Sequence, residues 1–317
     1  MRNRFRLATM PVVFGLTILT ASAPALALQT TTLADLGLPE LNITVTADSY
    51  EGIPEELEAG RYLVTVTATE ETTEIDGGGV GFFQPVGPSV DEVLGMLAPP
   101  EGDASPDASP AAPPEGEGGE EGGDGPPPFF FDSVFAGGTY AAPGESSQIV
   151  LDLTPGDWIA WGDDPVAPWT PVVFTVTGEV PADQPEPETS ATITMGEYLI
   201  DVSEGTLTSG PQIIRVDNKG AQPHFVFITK GPDDLTDDQV KATLEMEMTG
   251  TPVAGATNPD EDFVDVAFTG TQSNGTSQWV EVDLEPGRYL MICFFPDKAD
   301  GMPHAYHGMY SIVDVAP

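Results

Sequence analysis

The chain is 317 residues long, carries a formal net charge of −41 and contains one cysteine. That much negative charge repels nucleic acid and anionic lipid and favours basic partners or a high-salt medium. One Cys excludes an intramolecular disulfide, and the length is enough for two domains of ordinary size.

The chain opens with Arg2, Arg4 and Arg6, a short apolar core from Leu7 to Thr20, and the small-x-small triplet Ala25-Leu26-Ala27. This order predicts a signal peptide over 1–27, removed near Ala27, and a secreted or periplasmic, extracytoplasmic protein. No Cys follows the cleavage site to carry a lipid, and no later apolar stretch is long enough for a membrane span. Without 1–27 the chain would keep seven basic residues against 51 acidic ones.

Two structured regions are expected, 28–178 and 190–317, with a linker at 179–189 that contains EVPADQPEPE. Inside the first region, residues 99–128 are Pro, Gly and acid with almost nothing apolar. They predict a disordered insertion, because they cannot bury enough surface to form a core. The flanking sequence recurs. LDLTPGDWIAWGDD (Leu151–Asp164) lines up with VDLEPGRYLMICFF (Val282–Phe295), and VGPSVDEVLGML (Val86–Leu97) resembles KGPDDLTDDQVKATL (Lys230–Leu244), each a helix signal after a Gly-Pro turn. ITVTADSYE likewise echoes ATITMGEYL. Two copies of one module of about 120 to 130 residues account for this.

The module is strand-rich. Alternating apolar and β-branched runs occur at TITMGEYLIDV, QIIRVDN, HFVFIT, FVDVAF, QWVEVDL, YLMICFF and MYSIVDV, separated by Gly, Pro, Asn and Asp turns. The expectation is an all-β chain: two Greek-key β-sandwiches in tandem, each with one short helix, plus the disordered insertion.

Chemistry-bearing residues gather in the second copy. Pro223-His224 opens a strand after the turn DNKGAQ, Cys293 falls near the end of another, and Pro303-His304 and Gly308-Met309 follow. The spacing is C-x10-H-x4-M. A thiolate, two imidazoles and a weak thioether are the donors of a trigonal His₂Cys blue-copper site with a long axial Met. One His must come from a separate strand, and the end of a sandwich brings it to the loop that joins the last two strands.

DNKGAQPHFVFI, PGRYLMIC, PHAYHGM and YSIVDV resemble the cupredoxin family, the plastocyanin and azurin type of blue-copper protein, over about residues 190 to 317. The resemblance implies one copper per chain, held by His224, Cys293, His304 and Met309. Small cupredoxins place only a few residues between Cys and His, and this chain places ten; copper nitrite reductases have a comparably long loop with the same H-x4-M ending. Each residue also has a plainer reading. Cys293 can be a small hydrophobe in a strand, His224 can cap a turn and Met309 can be core. His307 is expected to be exposed and Met302 to be an ordinary loop residue. In the first copy Gly162 stands at the position of Cys293 and there is no His, so that copy is expected to be degenerate, with a structural or partner-binding role.

If copper binds, single-electron transfer is the expected function, with the acidic surface steering a basic redox partner. No catalysis is expected. A trinuclear oxidase centre needs many more than three histidines, nitrite reduction needs a second His-bound copper, and no Ser-His-Asp set is present. Extracytoplasmic copper binding or delivery, and a copper-free interaction module, are the alternatives.

Overall fold

A computed structural model describes residues 32–75, 77–97, 127–162 and 170–316. The expected signal peptide lies outside the described residues. So does the expected insertion, save Pro127 and Pro128, of which Pro128 opens a short helix.

In the first half the strands are β1 (Glu40–Val45), β2 (Tyr50–Glu51), β3 (Glu56–Glu58), β4 (Gly60–Ala68), β5 (Gly78–Gln84), β6 (Val134–Ala141), β7 (Ser146–Leu153), β8 (Gly156–Trp161) and β9 (Val172–Thr177). The second half contributes β10 (Ala191–Gly196), β11 (Leu199–Gly205), β12 (Gly210–Asn218), β13 (His224–Lys230), β14 (Val264–Gln272), β15 (Ser277–Leu284), β16 (Gly287–Ile292) and β17 (Tyr310–Val315). Helices α1 (Val90–Leu97) and α2 (Pro128–Asp132) separate β5 from β6. Helices α3 (Asp237–Thr249) and α4 (Pro259–Asp262) separate β13 from β14.

These strands form two sheets, and each sheet runs through both halves. The first has the order β11-β10-β12-β15-β7-β4-β1-β2, the second β17-β16-β13-β14-β6-β5-β8-β9-β3. Read outward from the joint, β15-β12-β10-β11 faces β7-β4-β1-β2, and β14-β13-β16-β17 faces β6-β5-β8-β9. The joints are the pairings Gln278↔Leu151, Trp279↔Val150 and Val280↔Ile149 in one sheet and Gln272↔Ala136 in the other. The fold is the expected all-β pair of sandwiches in tandem. The two share continuous sheets rather than hanging from a linker.

Alternation builds the core. In β1 the inward positions Leu41, Ile43 and Val45 are buried, while Glu40 and Asn42 face out. Residues of both sheets, such as Val64, Ile149, Phe82 and Trp158, then Val216, Val280, Val226 and Tyr289, belong to one buried cluster. The outer faces are covered separately. Helix α3 lays Val240 and Leu244 over Leu290 and Ile292. It starts at Thr236, which caps the Gln239 N–H while Gln239 caps back, and it stops at Gly250, whose φ of 62° suits glycine.

One expected strand is a hairpin. The run TITMGEYLIDV, read as a single strand, bends at Glu197-Tyr198 between β10 and β11, with Met195 opposite Ile200 and Gly196 opposite Leu199. The apolar positions are Ile193 and Met195 on one arm and Ile200 and Val202 on the other, so the alternation changes phase at the bend, a mark that the single-strand reading passed over. Tyr198 sits at φ 55°, the one non-glycine among the described residues in the left-handed region. This turn lies over the functional end of the molecule.

Candidate metal centre

His224 is the first residue of β13, and the turn before it is tightly specified. Asn218 is fully buried. Its side-chain amide donates to the carbonyls of Gln222 and Gln272, and its oxygen accepts from the Gly220 N–H. Glu197 accepts from the N–H groups of Ala221 and Gln222. Gly220 is required by contact, since a Cβ there would stand 2.6 Å from His224 Nε2.

Cys293 follows β16 directly. Its N–H donates to the Met309 carbonyl at 3.2 Å, and the Met309 N–H donates to the His304 carbonyl at 3.0 Å. The ten-residue stretch between Cys293 and His304 closes on itself. His304 N–H reaches the Phe295 carbonyl at 2.8 Å, Pro296 bridges Pro303, and Asp297 N–H reaches the Met302 carbonyl at 2.8 Å. The excursion is therefore a small hairpin whose base keeps His304 beside Cys293, as a short loop would.

Three of the four expected ligands converge. His224 Nδ1 and His304 Nδ1 are 2.9 Å apart, and the Cys293 sulfur is 4.0 Å from the first and 3.8 Å from the second. The point in the plane of these atoms equidistant from all three lies about 2.1 Å from each, the length of a metal–nitrogen bond and just under a metal–thiolate bond. All three residues are buried. Met309 is buried in the same core cluster as Cys293. His307 is not part of the group; it is partly exposed, 3.2 Å from Asp300, with its ring 5.0 Å from that of Tyr198. In the first half Gly162 follows β8 as Cys293 follows β16.

Sequence reasoning passed over the carboxylates around these rings. The outer nitrogen of each imidazole faces one: His224 Nε2 lies 3.8 Å from Glu197, and His304 Nε2 lies 3.7 Å from Asp297. Asp297 is itself buried and accepts from the Tyr198 hydroxyl, the Gln222 amide and the Ala299 N–H. Among 51 acidic residues nothing in the sequence sets these two apart; only the folded loops do. Asp297 also comes within reach of Asp300 and His307 on the exposed side.

Burial, and then the neighbouring imidazole of His304, push the His224 pKa down to about 4 against the opposing pull of Glu197. Burial likewise lowers His304, with Asp297 resisting. Burial would raise Asp297, but the hydrogen bonds from Tyr198, Gln222 and Ala299 outweigh it and bring the acid to about 2. Both imidazoles are thus neutral near pH 7, the form that ligates a metal.

This has a consequence for stability. The unfolded chain protonates His224 near 6.5, whereas the folded chain resists until about 4, so the unfolded state takes up the proton first as pH falls. Stability of the metal-free protein should drop between those values by about 3 kcal/mol on account of this group. Urea unfolding of the wild type and His224→Gln across that range checks it. The variant should show the shallower fall, and parallel profiles would contradict the assignment.

No protein-family profile matches the sequence, and no curated protein matches it. Solved structures are similar to parts of it. The dithionite-reduced auracyanin of the photosynthetic bacterium Roseiflexus castenholzii is 24% identical, with TM-score 0.28, over 41% of this chain and 98% of that one. The blue copper protein auracyanin A of Chloroflexus aurantiacus is 20% identical, with TM-score 0.25, over 39% of this chain and 97% of that one. The copper nitrite reductase of Nitrosomonas europaea is 10% identical, with TM-score 0.22, over 87% of this chain and 93% of that one.

Proposed function

We propose that this chain is an exported, blue-copper-type protein that passes single electrons through one copper in its second sandwich. The observation that carries the proposal is the convergence of one sulfur and two imidazole nitrogens, all buried, at separations of 2.9, 3.8 and 4.0 Å. Softness and geometry of the donors match a His₂Cys copper site better than a structural zinc site, which takes four strong ligands. A copper held there supplies a centre that alternates between Cu(I) and Cu(II).

The residues divide the work. Cys293 would supply the thiolate, and His224 and His304 the two imidazole nitrogens through Nδ1. Met309, whose main chain bonds to those of His304 and Cys293, would supply the weak thioether donor. Each ligand is tied to another by main-chain hydrogen bonds or by a registered strand, so the set keeps its shape whatever the charge at its centre. That rigidity suits electron transfer, where reorganisation slows the step. Delivery of copper to another protein calls for ligands that a partner can reach, and both imidazoles are fully buried. The burial therefore favours electron transfer over delivery.

The first half, with Gly162 and no His, serves as a second sandwich that braces the copper-binding one. The acidic surface would steer a basic redox partner. The leader-like segment 1–27 supports export, and no helix of the described residues is long and apolar enough to cross a membrane.

Adding Cu(II) to the purified chain should produce an intense visible thiolate-to-copper band that saturates at one equivalent. Titration with no such band, in a protein shown to be folded by circular dichroism, would sink the copper reading and leave an interaction module.

A further inference from the structure

The two ring nitrogens that face each other cannot both be bare. His224 Nδ1 and His304 Nδ1 are 2.9 Å apart in a buried site, so in the metal-free protein one of them carries a proton and donates to the other. Which ring does so depends on what faces each outer nitrogen. The Nε2 of each ring is buried without a partner inside hydrogen-bond distance, and each looks toward a carboxylate at nearly the same range.

The two carboxylates are not equivalent. Asp297 is 2% exposed and is fixed by three donors, two on its Oδ2 and one on its Oδ1. The Glu197 side chain is 41% exposed; the carboxylate oxygen facing each ring already accepts from two donors, so the difference between them is one of burial. A fixed charge in a dry setting exerts the stronger field on a neighbouring N–H. The long Cys-to-His loop is what brings Asp297 there, since it sits at the base of the hairpin.

We propose that Asp297 is a positioning residue for His304: it draws the ring proton to Nε2, leaving Nδ1 bare and aimed at the Cys293 sulfur. The tautomers of the metal-free site are then unequal. His304 is protonated on Nε2 and accepts at Nδ1. His224 is protonated on Nδ1 and donates to it. His304 is set for ligation before any metal arrives, and His224 is the ring whose proton a metal must displace. This deepens the copper reading, yet the tautomer assignment holds or falls without copper.

The test uses the metal-free, full-length protein with nitrogen-15-labelled histidine. Two-bond correlation spectra should show His304 as the Nε2–H tautomer and His224 as the Nδ1–H tautomer. His304 protonated on Nδ1 in the wild type would overturn the proposal, whatever copper does. In Asp297→Leu the His304 preference should weaken or reverse, and Asp297→Asn, which keeps an acceptor oxygen, should restore part of it. An unchanged His304 tautomer in a folded Asp297→Leu protein would also overturn it. Should that variant fail to fold, Tyr198→Phe, which frees Asp297 of one anchor, gives the same comparison in milder form.

Copper supplies the second readout. Competition with a chelator should show Cu(II) binding weakened roughly 10- to 100-fold in Asp297→Leu, and less in Asp297→Asn. Wild-type protein with the expected tautomers but no copper binding would defeat the metal reading alone. Copper bound equally well by wild type and Asp297→Leu would defeat the positioning role alone.

Discussion

Cys293→Ser should take up Cu(II), if at all, without colour. The intense visible band of such a site is charge transfer from thiolate sulfur to copper, and a serine hydroxyl in the same place has neither the softness nor the charge to give it. The substitution is nearly isosteric in a fully buried position, and its cost to the fold is that of one extra hydroxyl in the core, about 1 to 3 kcal/mol. Met309→Leu separates the roles. It leaves Cys293, His224 and His304 in place, so the band should persist while the reduction potential rises, because a weak donor to the more electron-poor Cu(II) would be removed. His307→Ala should leave both band and potential where they were, since His307 pairs with Asp300 outside the donor triangle. Absorption spectra and a redox titration of the three variants read these outcomes. A strong band in folded Cys293→Ser would remove the thiolate from the site.

Trp279→Ala should be the most destabilising single change at the joint. Trp279 is 1% exposed, pairs with Val150 across the boundary between the halves, and packs with Leu33, Leu38, Leu63 and Ile213. Its ring lies beneath the Arg61 guanidinium at 4.3 Å and near that of Arg215 at 5.3 Å, one arginine from each half. Truncation leaves a cavity and takes the ring from beneath two guanidinium groups, which keep their carboxylate partners, at a cost of about 3 to 5 kcal/mol. In thermal unfolding that corresponds to a fall of roughly 10 °C for a chain of this size. Because both sheets run through the joint, the transition should stay single. Two separated transitions in the wild type would show that the halves unfold independently.

Much of the fold was legible because its causes are local. The strands announce themselves by period-2 alternation and the turns by Gly, Asn and Asp. Helix α3 begins at Thr236, whose capping chemistry is visible in KGPDDLTDDQVKATL, and runs past that stretch to Gly250. The hairpin at Glu197-Tyr198 was missed because its mark is only a change of phase, from Ile193 and Met195 to Ile200 and Val202, inside one short run of alternating residues. The continuous sheets were invisible for a different reason. The pairing of β15 with β7 and of β14 with β6 joins residues more than a hundred positions apart and uses ordinary strand residues that carry no mark of partnership. At the metal centre, His224, Cys293 and His304 stood out because those residue types are scarce here. Asp297 and Glu197 did not, because carboxylates are abundant and their distinction is wholly one of place.

The small hairpin between Cys293 and His304 uncouples distance along the chain from distance in space. Its lower rungs, Phe295 with His304 and Asp297 with Met302, hold the ligands, and Lys298 is tied to Gln222 and Asp132. Ala299 and Asp300 form the far tip, where the Ala299 N–H still donates to Asp297 and Asp300 lies against His307. Residues added there lengthen a loop whose ends are already clamped, and closing it costs only about 0.6 kcal/mol for each doubling of length. A lineage carrying this hairpin can therefore explore new tip sequences, of other lengths and charges, within a few residues of His304, provided a main-chain N–H still reaches Asp297. The tip is a place where length and charge can change while the buried cluster of His224, Cys293 and His304 stays as it was.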